Sequence, residues 1–160
     1  MNRTIKVGIS DLNIAHSPNV LVTYALGSCV GICLYDRVAK VAGLSHIMLP
    51  SSSAGRDNQP YRYADTAIVI LVKRMVAAGA DQRRLTAKIA GGARMFATFT
   101  DSNLSNIGQR NVASVKETLG KLGIPIIADD TGKDYGRTVF FSADNGQMCV
   151  KSANRGEWVL

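Results

Sequence analysis

Three residues in the first third of the chain carry side chains suited to nucleophilic catalysis: Thr23, Cys29 and His46. A neutral thiol reacts poorly, whereas a neighbouring imidazolium stabilises the thiolate and lowers the thiol pKa. The same imidazole can return a proton to a leaving amine. Such a histidine needs an acceptor for its second ring nitrogen, and Thr23, through its hydroxyl or its carbonyl, is suited to that task. The residue types predict a thiol nucleophile and its base.

The spacing of Cys29 and His46 suggests how they meet. Two apolar runs at 28–36 and 40–49 are separated by only a few residues, which is typical of a hairpin. Alternation puts every second residue on one face: Cys29, Gly31, Cys33 and Tyr35 in the first run, Ala42, Leu44, His46 and Met48 in the second. A turn centred on Arg37–Val38 predicts Cys29 directly opposite His46, with Gly31 leaving open space beside them.

Blander interpretations of the same residues remain open. A lone Cys and a lone His on apolar strands commonly fill the core, and Cys33 and Cys149 are interpreted in that way. Cys29, Cys33, His46 and Cys149 have the ligand count of a zinc site, but not the close Cys-x-x-Cys spacing of one. His16, near Pro18, is expected to lie solvated in a polar loop.

Length and composition indicate a globular protein. The 160 residues are 46% hydrophobic and 19% charged, which excludes disorder as the overall state and predicts a single domain over 1–160. The longest apolar run, 67–72, is too short to span a bilayer, and the first ten residues lack the apolar core of a signal peptide. Three cysteines, an odd number, argue against a secreted disulfide framework. We therefore expect a cytoplasmic protein without membrane insertion.

The net charge of +7 admits nucleic acid, anionic lipid or an acidic protein as partner. Nucleic acid is disfavoured because aromatic residues make up only 6% of the chain and no nucleic-acid-binding motif is present. Part of the charge is local: six basic residues and one acidic residue lie between Lys73 and Arg94. The patch would attract an acidic protein surface, but charge by itself does not choose among these partners.

Hydrophobic periodicity predicts a mixed α/β fold. Helical spacing of apolar residues indicates helices over 64–78 and about 108–122, each ended by a glycine. A polar segment at 50–59 is typical of a loop. Apolar, β-branched runs indicate strands at 4–9, 19–24, 28–36, 40–49, 85–90, 124–128, 138–142 and 147–151. This order predicts layers of sheet and helix.

Several motifs carry a resemblance to a known family. Residues 23–30 read Thr-Tyr-Ala-Leu-Gly-Ser-Cys-Val, and His-Ile-Met-Leu-Pro follows at 46–50. Further blocks follow in order: Tyr-Ala-Asp-Thr-Ala at 63–67, Lys-Ile-Ala-Gly-Gly-Ala at 88–93, Ile-Gly with Arg-Asn at 107–111, Asp-Thr-Gly at 130–132 and Gly-Arg at 136–137. Together these blocks resemble the CheD family of chemoreceptor glutamine deamidases over roughly residues 7–150.

The resemblance implies a fold, a reaction and a set of residues. The implied fold is a layered α/β sandwich with central apolar β-sheets and helices covering the outside, related to deamidating bacterial toxins. The implied catalytic residues are Cys29, His46 and Thr23, which convert glutamine side chains of methyl-accepting chemotaxis receptors to glutamate and release ammonia. No cofactor and no metal is implied. The backbone N–H groups of Ser28 and Cys29 are candidates for the oxyanion hole.

Two further points qualify the resemblance. Members of the family bind a CheC-type phosphatase, so a regulatory binding module is the alternative function. Ala25 and Lys133 stand where the family commonly has glycine, and neither position touches the three implied catalytic residues.

Overall fold

The computed structural model describes residues 2–52, 58–95 and 106–160, which form ten strands and two helices. The strands are β1 (Thr4–Lys6), β2 (Asp11–His16), β3 (Val20–Leu26), β4 (Val30–Asp36), β5 (Val41–Ile47), β6 (Thr86–Gly91), β7 (Ile126–Thr131), β8 (Arg137–Ser142), β9 (Met148–Ser152) and β10 (Gly156–Val159). The helices are α1 (Ala64–Ala77) and α2 (Ile107–Lys121). Neither helix has the length and hydropathy that crossing a membrane requires.

The strands form two five-stranded sheets. The outer sheet has the order β1-β3-β8-β9-β10, and the covered sheet has the order β2-β5-β4-β6-β7. Neighbours are antiparallel except for the pairs β1–β3 and β6–β7. Both helices pack against the covered sheet, which gives a layer order of helices, covered sheet and outer sheet. The predicted mixed α/β sandwich is confirmed, although the helices cover one side only.

Strand β4 lies at the centre of the covered sheet and contributes to two separate cores. Val30, Ile32 and Leu34 pack with the helices. Cys33 and Tyr35 point the other way and pack between the two sheets. Strict alternation predicted this division of faces, and it is confirmed. The face that carries the candidate nucleophile is therefore the face between the sheets.

Helix α1 follows its predicted pattern closely. Its buried residues are those at the predicted spacing: Ala64, Ala67, Ile68, Leu71, Val72 and Met75. It begins next to the end of β5, where the Ala64 amide donates to the Leu49 carbonyl at 3.0 Å. The connection after His46 is thereby fixed to the start of the helix.

The predicted register of the β4–β5 hairpin is wrong by two residues. Gly31 pairs with His46 and Cys33 with Leu44, so the loop spans the four residues 37–40. The Asp36 carboxylate accepts hydrogen bonds from the amides of Val38 and Ala39 and stabilises this longer turn. A shift of two residues leaves each side chain on its original face. Cys29 therefore lies diagonally from His46 rather than opposite it.

Two strands were not predicted from the sequence, and one residue was assigned to a loop rather than to a strand. β2 is an edge strand with only two buried residues, Leu12 and Ala15, and β10 is a short edge strand. His16 ends β2 rather than lying in a loop, and its Nε2 atom is 3.1 Å from the Ala78 carbonyl. The predicted loop at 50–59 lies partly outside the described residues.

The two departures from the family pattern both have a left-handed backbone. Ala25 has a φ of 60° and Lys133 a φ of 63°, a region that glycine adopts without steric cost. We predict that Ala25→Gly and Lys133→Gly each raise the free energy of unfolding in urea by about 0.5–1 kcal/mol. Ala113→Gly, at an exposed helical position in α2, is the matched control and costs about 1 kcal/mol. Equal losses of unfolding free energy in all three variants would show that the backbone is not strained at Ala25 and Lys133.

Candidate active site

A hydrogen bond between Thr23 and His46 joins the two sheets. Thr23 lies on β3 of the outer sheet and His46 on β5 of the covered sheet. The Thr23 Oγ1 atom is 2.7 Å from Nδ1 of His46 and 2.8 Å from the carbonyl oxygen of Val7. The hydroxyl has one proton, which it donates to the Val7 carbonyl, so it accepts a hydrogen bond from Nδ1. Thr23 therefore holds His46 with its proton on Nδ1.

The second ring nitrogen of His46 presents a lone pair. His46 is fully buried, and its Nε2 atom has no hydrogen-bond partner among the described residues. A buried polar atom without a partner is costly, and such atoms are concentrated at functional sites. In this tautomer Nε2 can accept a proton but cannot donate one. The geometry is that of a general base.

Cys29 lies in the loop that crosses from the outer sheet to the covered sheet, between β3 and β4. Its side chain is half-buried and packs at the edge of the core between the sheets. It precedes Gly31 by two residues and so shares the face of His46. The expected open space beside Gly31 is filled, because a Cβ atom there would lie 3.1 Å from Leu26 Cδ1.

The loop that carries Cys29 is held by three consecutive carbonyl groups. The Gly27 carbonyl accepts from the Ala93 amide at 2.8 Å, and the Cys29 carbonyl accepts from the Gly92 amide at 2.8 Å. The Ser28 carbonyl accepts from the side-chain amide of Asn111 at 2.9 Å. Each peptide unit of the loop is thereby oriented by a neighbouring element.

Gly91 permits this close contact. It has a φ of 109°, and a Cβ atom at this position would lie only 2.2 Å from the Cys29 carbonyl oxygen. Only glycine lets the end of β6 approach the nucleophile loop so closely. The Cys29 loop therefore packs directly against the Gly91–Gly92 pair.

Two amide groups in this loop are available as donors. Among the described residues no other residue accepts a hydrogen bond from the backbone N–H of Ser28 or Cys29, and the Cys29 N–H contacts only its own thiol. Both N–H groups belong to peptide units whose carbonyls are fixed on the opposite side, because C=O and N–H point in opposite directions in a trans peptide. Two fixed amides next to a thiol, neither of them bonded to another residue, are the donors that an oxyanion hole requires.

Burial keeps both reactive groups neutral. Desolvation lowers the pKa of His46 to about 4, because the buried imidazole is disfavoured in its charged form. Desolvation also raises the pKa of Cys29, and a hydrogen bond from its own backbone amide opposes this only in part. Both directions are opposite to the sequence-based expectation of a thiol pKa lowered by an imidazolium, and they favour a neutral thiol and a neutral imidazole.

The remaining cysteines are not brought to this site. Cys33 is fully buried between the sheets, 3.8 Å from the sulfur of Met148, and burial raises its pKa. Cys149 is half-buried on β9 of the outer sheet. Among the described residues no three His, Cys, Asp or Glu side chains are grouped as metal ligands, so the alternative zinc set is not assembled.

Two residues that matter for the site were missed as such in the sequence. Asn111 lies on the buried face of α2, and its Nδ2 atom also donates to the Met48 carbonyl at 2.9 Å. A polar residue in the apolar stripe between Gly108 and Val115 was the available signal. Both Asn111 and Arg137 appeared only in motif blocks to which no role was given.

Arg137 stabilises the Gly91–Gly92 segment against which the Cys29 loop packs. Its side chain is fully buried; it contacts the Asp130 carboxylate at 3.2 Å and donates to the Gly132 carbonyl at 3.0 Å. The Gly132 amide donates in turn to the Gly91 carbonyl at 2.9 Å. A buried arginine is tolerated only when paired in this way. It fixes the turn that precedes β8 against the glycine pair.

The fold and the site together define a class: a two-sheet α/β protein with a loop-borne cysteine, and a buried histidine whose tautomer is set by a threonine. The family model described as CheD chemotactic sensory transduction matches residues 48–152. The chain belongs to the CheD family. The matched range begins after Thr23, Cys29 and His46, so the roles assigned to these three residues depend on the geometry and the sequence motifs.

Full-length relatives support the same membership. A protein of Caldanaerobacter subterraneus named probable chemoreceptor glutamine deamidase CheD is 50% identical over 156 residues, 97% of this chain and 96% of that protein. The chemoreceptor glutamine deamidase CheD of Halalkalibacterium halodurans is 45% identical and covers 98% of both chains. A probable chemoreceptor glutamine deamidase CheD of Syntrophomonas wolfei is 44% identical over the whole of both. These alignments extend over nearly the whole chain.

The buried neutral histidine predicts a pH-dependent stability. The unfolded chain takes up a proton on His46 near pH 6.5, whereas the folded chain does so only near pH 4. The contribution is therefore complete above about pH 7 and is lost as the pH falls through this window, about 2 kcal/mol by pH 5. In urea titrations, the free energy of unfolding of His46→Asn should fall between pH 7.5 and pH 5 by about 2 kcal/mol less than that of the wild type.

The chain has only two histidines, which supplies the control. His16 is exposed, and His16→Asn should retain the full pH dependence of the wild type. If both variants lose stability equally on acidification, His46 is not held neutral in the folded protein.

Proposed function

We propose that this protein is a chemoreceptor glutamine deamidase in which Cys29 is the nucleophile, His46 the general base and acid, and Thr23 the residue that orients His46. The observation that carries the proposal is the 2.7 Å hydrogen bond between Thr23 and His46 Nδ1, which leaves Nε2 as a buried base. The names of the full-length relatives support glutamine deamidation as the activity.

The reaction begins from neutral partners. As the substrate carboxamide approaches, Nε2 of His46 takes the Cys29 thiol proton while the sulfur attacks the carboxamide carbon. No hydrogen bond joins the Cys29 thiol to His46 Nε2 in the structure, and catalytic contacts of this kind commonly tighten only in the complex. Entry of the substrate also completes the desolvation that makes the thiolate strongly nucleophilic. The pair of Cys29 thiolate and His46 imidazolium therefore forms only during the reaction.

The oxygen and nitrogen of the carboxamide then follow separate routes. Negative charge develops on the carbonyl oxygen, and the N–H groups of Ser28 and Cys29 donate to it. His46 passes its proton to the amide nitrogen, the C–N bond breaks, and ammonia leaves. The acyl group stays on Cys29 as a thioester.

Hydrolysis of the thioester completes the cycle. His46, neutral again, takes a proton from water as the oxygen attacks the thioester carbon. The C–S bond breaks, the sulfur recovers the proton from His46, and the side chain leaves as glutamate. Thr23 accepts the Nδ1–H bond throughout, and that bond stabilises the imidazolium when it forms. These steps require no cofactor and no metal.

The surface around Cys29 suits a protein substrate. Two exposed apolar residues lie close to the Cys29 loop: the side chain of Met95 packs over Gly27, and Met48 shares the Asn111 side-chain amide with Ser28. Exposed apolar side chains grouped around a reactive group favour contact with another apolar protein surface. A receptor segment that presents a glutamine between apolar side chains would fit this rim.

The basic segment at 73–94 contributes less than its sequence suggested. Arg84 is paired with the buried Asp36 at 2.8 Å, and Arg83 with Asp81 at 3.0 Å. Asp36 ends β4, whereas Cys29 precedes the start of that strand, about 20 Å away. Lys88 donates to the carbonyls of Gly146 and Leu160. Attraction of an acidic substrate by this segment is therefore weaker than the sequence alone predicts.

Binding of a CheC-type phosphatase stays a prediction of the family resemblance. It is compatible with the deamidase activity, since a regulatory partner and a substrate can both use the same protein. A variant without its nucleophile separates the two roles, because it should retain partner binding while losing turnover.

Replacement of the nucleophile tests the proposed function. We predict that Cys29→Ala abolishes conversion of receptor glutamine to glutamate, because no thioester can form, while Cys149→Ala retains near-wild-type activity. The measurement is peptide mass spectrometry of a purified receptor cytoplasmic fragment after incubation, with released ammonia assayed in parallel. Conversion by Cys29→Ala at the wild-type rate would overturn the proposed mechanism.

A further inference from the structure

Asn111 connects the segments that carry the nucleophile and the base. Its Nδ2 atom donates to the carbonyl of Ser28, directly before Cys29, and to the carbonyl of Met48, two residues after His46. Both distances are 2.9 Å. Asn111 is fully buried on α2, an element that contributes no other group to the proposed reaction. One side chain therefore fixes both segments relative to each other.

The whole donor capacity of this side chain is used on these two carbonyls. A carboxamide has two N–H donors, and Asn111 gives one to each carbonyl. Its Oδ1 atom is buried and has no hydrogen-bond partner among the described residues. Burying an amide with an unpaired acceptor costs free energy of folding. The two donated hydrogen bonds must offset this cost, through stability or through the geometry of the site.

The orientation of the Ser28 carbonyl determines the direction of the Cys29 amide. The two groups belong to one trans peptide unit, so the C=O and the N–H point in opposite directions. Holding the carbonyl towards α2 aims the Cys29 N–H away from it, towards the Cys29 thiol and on the side where no other described residue accepts its proton. The adjacent unit is fixed in the same way, by the bond from the Ala93 amide to the Gly27 carbonyl.

We propose that Asn111 is a positioning residue that sets the oxyanion hole: by holding the Ser28 carbonyl it aims the Cys29 N–H at the oxygen of the tetrahedral intermediate. The inference rests on the proposed deamidase function. Asn111 does not touch the substrate in this account and does not alter the thiol itself. Its loss should therefore slow steps that build charge on oxygen, and leave simpler reactions of Cys29 unaffected.

The chain offers a matched control three residues along the same helix. The Ser114 hydroxyl also donates from α2 to a carbonyl in the segment after β5, that of Pro50. It makes no bond to the Cys29 loop. Ser114→Ala therefore loosens the same helix from the same segment without releasing the Ser28 peptide.

The test compares two reactions of Cys29 in Asn111→Ala, Ser114→Ala and the wild type. Deamidation of the receptor fragment requires the oxyanion hole, whereas alkylation by iodoacetamide is a direct displacement that does not. Removing one oxyanion donor typically costs about 100- to 1,000-fold in kcat. A donor that is misdirected rather than removed should cost about 10- to 100-fold. We expect kcat of Asn111→Ala to fall by that factor with KM little changed, while the alkylation rate stays within about threefold.

Different outcomes test the role of Asn111 and the proposed function separately. Deamidation by Asn111→Ala within about twofold of Ser114→Ala, or a parallel fall in deamidation and alkylation, would overturn the proposed role of Asn111. Wild-type protein that alkylates at Cys29 but converts no receptor glutamine would instead overturn the proposed function. If Asn111→Ala does not fold, Asn111→Ser keeps one donor, and the same comparison of the two rates decides.

Discussion

The site depends on one hydrogen-bonded series that crosses between the two sheets, from His46 Nδ1 to the Thr23 hydroxyl and on to the Val7 carbonyl. A hydroxyl can donate only one proton, so its bond to Val7 requires it to accept from the histidine. That requirement places the lone pair on Nε2. The apolar packing between the sheets then excludes water, which keeps the imidazole neutral and makes the choice of tautomer persistent. Fold and chemistry are linked through this series.

The nucleophile is controlled in a different way, through its backbone. Gly27, Ser28 and Cys29 each have their carbonyl held, two by amides of the Gly92–Ala93 segment and one by Asn111. The glycine pair permits the close approach, and Arg137 holds the neighbouring turn against it. In the proposed mechanism this half-buried thiol becomes reactive when a substrate completes the site.

Sequence alone predicted the parts of this arrangement that depend on alternation and on residue type. The opposite faces of β4 and the buried stripe of α1 follow from local patterns, and residue type suggested that Thr23 orients His46. The hairpin register did not, because it depends on how the Asp36 carboxylate binds the turn amides. The protonation states did not either, since they depend on burial by the second sheet. Asn111 was missed because its partners lie 63 and 83 residues away in sequence.

The central claim is that His46 is a neutral base, protonated on Nδ1 by virtue of Thr23, while Cys29 rests as a thiol. Nitrogen-15 NMR of the two His46 ring nitrogens, in the wild type and in Thr23→Val, tests it most directly. The wild type should show a protonated Nδ1 and a bare Nε2 from pH 6 to 8, and Thr23→Val a mixture of tautomers. Both nitrogens protonated at pH 7 in the wild type would indicate a resting imidazolium paired with a thiolate, and would contradict the account.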